Sequence, residues 1–310
     1  MTQYAIETYK LRKVYRSRLR RQSLVAVDSL DLKVPEGCVF GFLGPNGAGK
    51  TTTIMMLLGN VYPTSGSFRI FGHSIADMGV RRRIGFLPEK FQFHDLLTAE
   101  ELLGFHGRLA GMDRRALARR IPEVLEQVGL RERARSRVRE FSKGMQQRLG
   151  IAQAILHDPD LVILDEPTSA LDPLGRRDVR DLILHLKSRG KTVFLNSHLL
   201  SEVEMVCDEV AILRAGQVQR QGGLDMLLQV HPVVDVELRS PSVQVMQAVR
   251  SVATVLSENG TRFTAEVQRE EDIPALARRI VEAGGELMRF APRRESLEDL
   301  FVRVVEEEAK

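Results

Sequence analysis

The chain has 310 residues, 43% hydrophobic and 28% charged, with a net charge of +4. That is an ordinary globular composition, long enough for about two domains of roughly 150 residues. No apolar run approaches the roughly 18 residues of a membrane span, the N-terminal MTQYAIETYKLRKVY lacks a signal-type apolar stretch, and Cys38 and Cys207 stand far apart without metal-ligand spacing, so a cytosolic, disulfide-free chain is expected.

Residues 1–35 predict a β-rich lead-in, YAIETYKL and then VAVDSLDLKV with alternating apolar positions, joined through an Arg-rich hairpin tip at 16–23. VFGFLG then reads as a buried strand and KTTTIMMLLGN as a helix. Between them lies GPNGAGKTT, which fits the phosphate-binding loop G-x-x-x-x-G-K-[ST] with Gly44, Gly49, Lys50 and Thr51 in the required places. In such a loop glycines let backbone N–H groups turn onto a polyphosphate, and the helix N-terminus favours the anion. The lysine reaches the β- and γ-phosphates, and the hydroxyl of Thr51 is a Mg²⁺ ligand.

Further strands are expected around SFRIFG and RIGFLPE, and residues 95–157 read as helical. Phe105 to Arg139 holds ten arginines against four acids, about +6, which leaves the rest of the chain near −2. Such a face can meet anionic lipid, an acidic protein surface or only water. FSKGMQQR (141–148) precedes an apolar helix, placing Ser142 and Gly144 where a helix N-terminus can face an anion; a Ser there is also an ordinary N-cap. LVILDEP and TVFLNSH are short β-branched runs separated by a helix-like segment, which predicts parallel strands. Asp165 and Glu166 fall at the carboxyl end of the first run, where α/β sheets bind ligands: Asp165 to hold Mg²⁺ through water, Glu166 to polarise or deprotonate an attacking water. A closing hairpin with an AG turn follows in VCDEVAILRAGQVQRQG. A boundary is expected near 228–233, then a β-α-β-β-α-β-α module with an Asn259–Gly260 turn and a Ser296…Asp299 helix cap.

Taken together, these motifs resemble the ATP-binding subunit of an ABC (ATP-binding cassette) transporter. GPNGAGKTT matches its Walker A motif, FSKGMQQR its signature, LVILDEP its Walker B, SALD (169–172) its D-loop and Ser197–His198 its switch histidine, covering residues 1–225 in the expected order. The resemblance implies an α/β P-loop NTPase domain at 1–230, with a mixed-sheet core, an antiparallel β lead-in and a helical signature subdomain at about 95–157. A small α+β accessory domain would occupy 231–310. Tyr15 matches the aromatic that stacks on adenine. Gly44, Pro45, Asn46, Gly47, Ala48, Gly49, Lys50, Thr51 and Thr52 would cradle ATP; Ser142 and Gly144 would complete a second subunit's site; His198 would contact the γ-phosphate; and Asp172 would lie at the dimer contact.

There are two departures. The usual signature LSGGQ reads FSKGM, keeping Ser142 and Gly144, and the usual Gln after RIGFLP is Glu89, still able to ligate Mg²⁺ or orient water, with Gln92 as an alternative register. Both resemble bacterial ABC-2-type exporters, antibiotic-export ATPases among them, which also carry a C-terminal domain ending like SLEDLF. The implied partners are ATP, Mg²⁺, a second copy head to tail and a separate membrane permease, on the inner face of the cell membrane. The alternative is a soluble ABC ATPase acting on a ribosome, DNA or an assembly scaffold, which the pI of about 9.2 allows. Its two-cassette or coiled-coil signatures are not seen, so nucleic acid is not the expected partner.

Overall fold

The computed structural model describes residues 3–16, 23–90, 93–228 and 230–306. The expected hairpin tip (17–22) and the alternative Gln92 lie outside the described residues. The chain divides into two compact units, one running to Leu224 and including the segment from Phe301, the other Asp225–Leu300. Among the described residues no helix is long and apolar enough to cross a membrane.

In the larger unit, β1 (Tyr4–Arg16), β2 (Ser23–Pro35), β3 (Val39–Leu43), α1 (Lys50–Leu57) and β4 (Ser65–Ile70) come first, followed by α2 (Met78–Arg81) and β5 (Ile84–Leu87). Three helices follow, α3 (Ala99–Leu109), α4 (Arg114–Gln127) and α5 (Lys143–Ile155). The chain then returns through β6 (Leu161–Asp165), α6 (Pro173–Ser188), β7 (Thr192–Asn196), α7 (Leu200–Val206), β8 (Glu209–Arg214) and β9 (Gln217–Gly223). Strands β2-β1-β4 make an antiparallel sheet; β5-β6-β7-β3-β8-β9 make the main sheet, parallel except for β9. VFGFL, LVILD and TVFLN are buried at every position, as expected of strands covered on both faces. The AG turn holds: Ala215 and Gly216 both have positive φ, 48° and 81°, as a two-residue hairpin needs.

The core fixes the spacing of the strand ends. Phe194 of β7 stacks on Phe40 of β3, with ring centroids 5.8 Å apart, and leans on Phe42 at 4.9 Å. Ile54, Met56 and Leu57 of α1 and Ile6, Leu11 and Leu30 of the lead-in sheet close the same cluster. Truncating a buried phenylalanine here costs about 3–5 kcal/mol. Because the five parallel strands run the same way, the loops after β3, β5, β6 and β7 emerge on one edge.

Residues 95–157 are not helical throughout. Between α4 and α5 the chain makes only two single turns, Arg131–Arg133 and Val138–Glu140. Gly129, at φ 66°, ends α4, and the backbone of Val138 donates to Leu97 O at 2.9 Å, so this stretch satisfies its amides across the subdomain. Nor are all ten arginines of that window surface charges. Arg120, with its side chain 12% exposed, donates to Ile155 O and Leu156 O, both at 3.2 Å, and to Glu123 at 3.1 Å. It thus satisfies carbonyls at the end of α5.

In the second unit, after α8 (Leu224–Leu227), come β10 (Val230–Leu238), α9 (Val243–Arg250), β11 (Thr254–Asn259), β12 (Arg262–Glu266), α10 (Ile273–Glu282) and β13 (Leu287–Arg294); α11 (Leu297–Glu306) begins in this unit and its residues from Phe301 belong to the larger one. The antiparallel sheet has the order β11-β12-β10-β13. Val245, Met246, Val249, Leu276 and Ile280 of α9 and α10 cluster with Val234, Val236, Phe263 and Ala265 of the strands. Asn259 pairs with Arg262, so the turn residues are Gly260 and Thr261, one step later than the Asn-Gly signal implied. Ser296 and Asp299 cap α11 reciprocally, with Asp299 N to Ser296 Oγ and Ser296 N to Asp299 Oδ2 both at 3.1 Å.

Candidate nucleotide-binding site

The loop between β3 and α1 opens into a cavity of about 740 Å³. Gly44 through Thr52 line it, together with Tyr15, Glu89, Glu166 and His198; Asn196, Ser169 and Ser197 join them. Gly49, at φ 101°, is the N-cap of α1, and a Cβ there would run into the Ala26 carbonyl. No side chain caps α1, so its first N–H groups remain for an anion. Lys50 Nζ is held at the mouth of the loop by Gly44 O at 2.5 Å and Pro45 O at 3.1 Å. Burial pulls its pKa down, opposed by the charges of Glu166 and Asp165. Tyr15, 41% exposed, stands at the cavity edge beside Leu24 and Val25, with Lys13 Nζ 5.1 Å from its ring centroid.

The strand ends supply the acids. Glu166 Oε2 lies 2.7 Å from His198 Nδ1; an ionised carboxylate only accepts, so that nitrogen carries the proton. Glu166 has φ 54°, a left-handed conformation costing a non-glycine residue roughly 1–2 kcal/mol. Asp165 is only 3% exposed and sits behind the cavity wall, where Oδ1 accepts from Asn196 Nδ2 at 2.5 Å. Burial, foremost, raises the pKa of both acids. For Asp165 the Glu89 charge adds to this and the Asn196 amide opposes it. For Glu166 the His198 contact opposes burial, as does Lys50, while Asp165 adds to it. The result is a carboxylate with increased basicity facing the cavity beside the phosphate-loop residues.

Ser142 and Gly144 are elsewhere. They line a separate cleft with Lys143, Ala170, Leu171 and Asp172. Ser142 Oγ accepts from Met145 N at 3.2 Å as the N-cap of α5, and Asp172 caps α6 by accepting from Gly175 N at 2.8 Å. Within one chain, then, Gly44 to Thr52 and Glu166 share a cavity that the signature residues do not enter, with Asp165 buried behind it.

Residues 27–169 match the ABC transporter family, and residues 224–305 match the C-terminal domain of DrrA1-3-like ATP-binding proteins. The bacitracin transport ATP-binding protein BcrA of Bacillus licheniformis is 38% identical over 308 residues, 97% of each chain. The chain belongs to the ABC transporter ATP-binding proteins. The Nod factor export ATP-binding protein I of Cupriavidus metallidurans is 36% identical over 92% of this chain and 94% of its own. A solved ATP-binding subunit of an ABC transporter superposes with a TM-score of 0.65 at 32% identity, over 72% of this chain and 91% of that one. A dimeric cassette in a post-hydrolysis state, bound to ADP and Pi, does so at 0.65 and 26% identity, over 71% and 98%. The antibiotic-export resemblance, the C-terminal domain included, is thus matched at both ends of the chain.

Within this ABC cassette, motif reading missed three supporting residues. Asn196, 3% exposed, donates to Asp165, leaves its buried Oδ1 without a partner and accepts from Glu166 N through its carbonyl at 2.8 Å. Gln147, 4% exposed, donates to Glu166 O at 3.1 Å, and Ser169 Oγ donates to the same oxygen at 3.1 Å. Gln147 and Ser169 were in plain view inside the signature and D-loop strings; nothing local marks their contact with Glu166.

Mg²⁺ fits this cassette as a nucleotide-borne ion. Thr51, Glu89 and Asn196, whose Oδ1 is orphaned, line the cavity, and the buried Asp165 carboxylate is bonded to Asn196; these are oxygen groups that would hold it.

Proposed function

We propose that this chain is the Mg²⁺-dependent ATPase subunit of an exporter, driving a separate ABC-2-type membrane permease as a head-to-tail dimer. The observation that carries it is the separation of two half-sites: a phosphate cavity with base and switch histidine, and a signature cleft with no phosphate loop of its own. A two-fold dimer joins each cavity to the other copy's cleft by using one surface twice. Relatives named for bacitracin transport and Nod factor export support the export assignment.

In this reading Gly44 to Thr52 wrap the phosphates of ATP and Tyr15 meets adenine. Lys50 offsets charge on the β- and γ-phosphates. Thr51, Asp165 and Glu89 hold Mg²⁺, which when bound neutralises charge on the transferring phosphoryl group. Glu166 orients water and takes its proton, with His198 steering the carboxylate and touching the γ-phosphate. Ser142 and Gly144 close the partner's site, and Asp172 lies at the contact. The helical region bearing the arginines is the face that docks the permease beside anionic headgroups.

The test is Glu166→Gln. Turnover is expected to fall about 10³-fold, while ATP converts the 34.9 kDa chain to a dimer on size-exclusion chromatography. Turnover at the wild-type rate removes Glu166 as the base; a chain that stays monomeric with ATP removes the head-to-tail arrangement. Pull-down from detergent-solubilised membranes should retain a multi-span protein; recovery of nucleic acid in its place would favour a cassette working on a ribosome or DNA.

A further inference from the structure

The base occupies a backbone state that side-chain-bearing residues avoid, Glu166 at φ 54°. Such a state persists only where its surroundings hold it. The Glu166 N–H donates to the Asn196 carbonyl at 2.8 Å. The Glu166 carbonyl accepts from Gln147 Nε2 and from Ser169 Oγ, both at 3.1 Å. Asn196 ends a neighbouring core strand and Ser169 opens the next loop. Gln147 differs from both, because it belongs to α5, the helix capped by Ser142.

Gln147 lies five positions beyond Ser142, about 140° round the helix, so they fall on different sides of α5. Ser142 is exposed in the signature cleft, and Gln147 is buried against the strand-end peptide. The helix is continuous between them. A buried side chain with one firm hydrogen bond transmits displacement, because close-packed surroundings do not absorb it. Any shift of α5 driven at its N-terminus therefore reaches the peptide joining Glu166 to Pro167, and with it the direction of the Glu166 carboxylate.

We propose that Gln147 is a positioning residue that couples the signature helix to the base of the same chain. An anion seated at Ser142 and Gly144 steadies α5, and Gln147 passes that order to Glu166. The inference rests on the head-to-tail reading, in which that anion is the nucleotide held by the partner's phosphate loop. Each base is then readied by the ATP its partner holds. Two hydrolysis events become linked through one helix, with no contact between the two cavities.

The experiment uses the full chain. Gln147→Met keeps length and fills the buried space but donates nothing. Its turnover should fall about tenfold, as small misplacement of a catalytic group does, while equilibrium binding of ATP to the E166Q and E166Q/Q147M chains agrees within about twofold. Gln147→Glu provides a rescue arm: its carboxylic acid donates the missing hydrogen bond when protonated, so the turnover ratio of Q147E to Q147M should rise as pH falls from about 8 to about 6. In a double-mutant cycle, Ser142→Ala and Gln147→Met together should cost no more than the larger single loss, because both act through one path.

Turnover of Q147M within about twofold of wild type, a flat Q147E to Q147M ratio, or S142A and Q147M losses that multiply as independent sites do would each overturn the coupling. The E166Q dimer separates the two failures. ATP-driven dimers together with wild-type turnover in Q147M overturn the Gln147 link alone. No ATP-driven dimer overturns the head-to-tail reading, and the cross-chain link with it.

Discussion

The phosphate cavity and the signature cleft are built in opposite ways. The cavity collects residues from the ends of β3, β5, β6 and β7, and its acids are braced by neighbours: Asn196 holds the buried Asp165, and His198 and Gln147 hold Glu166. The cleft is made by two helix starts, Ser142 on α5 and Asp172 on α6, whose side chains are occupied with capping. One is a preorganised site and the other a surface that awaits a ligand. On the proposed head-to-tail reading, a braced catalytic half and a simple recognition half suit a site that assembles and comes apart in each cycle.

That contrast can be broken at its strongest point first. Lys50→Ala, measured by equilibrium binding of ATP, should lose about 10²-fold in affinity, since the β- and γ-phosphate charge is left without its partner. Ser142→Arg should leave the affinity of the monomer unchanged while abolishing ATP-driven dimers. Equal losses of affinity in both would mean that cavity and cleft are not the independent halves described above.

The bracing behind the cavity gives the next effect. Asn196→Leu removes the amide that Asp165 accepts from, and supporting groups of this kind are worth about 10–100-fold in metal affinity. The Mg²⁺ concentration for half-maximal turnover should rise by about tenfold, with little change in ATP binding measured without metal. An unchanged Mg²⁺ requirement would detach Asp165 from the metal.

The pH dependence is subtler. Burial lifts Glu166 above the ordinary glutamate value of 4.5, so the acid limb of turnover should lie above that value. His198 opposes the lift, so in His198→Ala the limb should move to still higher pH. A limb that moves down would show that His198 is not paired with the carboxylate in the working enzyme.

The smallest effect is on stability. The folded state raises the pKa of both Asp165 and Glu166. The cost of holding them ionised is full above the folded values and fades as pH falls through those values toward the unfolded ones. Glu166→Gln removes one such charge, and its Tm without nucleotide should equal or exceed wild type by about 1–3 °C. A lower Tm would mean that the His198 contact outweighs burial.

The residues that share the candidate cavity were largely legible in the sequence. The glycine-lysine-threonine spacing of 44–52, the acids ending LVILDEP and the histidine ending TVFLNSH each rest on neighbours in the chain. Sequence pattern failed where long-range pairing decides. Residues 95–157 were expected to be helical, yet between α4 and α5 the β-bridge of Thr98 with Arg137 and the Val138–Leu97 hydrogen bond hold irregular chain. Arg120 counted as surface charge and proved to be a brace for the end of α5. In the second unit the Asn-Gly signal was displaced by one residue, because strand register set the turn.

By itself the sequence determined which chemistry is available: loop glycines that keep Cβ atoms away from an anion, a lysine one step into the helix, and acids at the ends of apolar strands. These are local, since each depends on a turn or a strand end whose residues adjoin. Only the tertiary structure decided which groups are held and by what. Asn196 reaches across from β7 to Asp165, Gln147 reaches from α5 to Glu166, and the signature stays out of its own chain's cavity. Those relations depend on strand order and on packing between elements far apart in the chain, which no local pattern encodes.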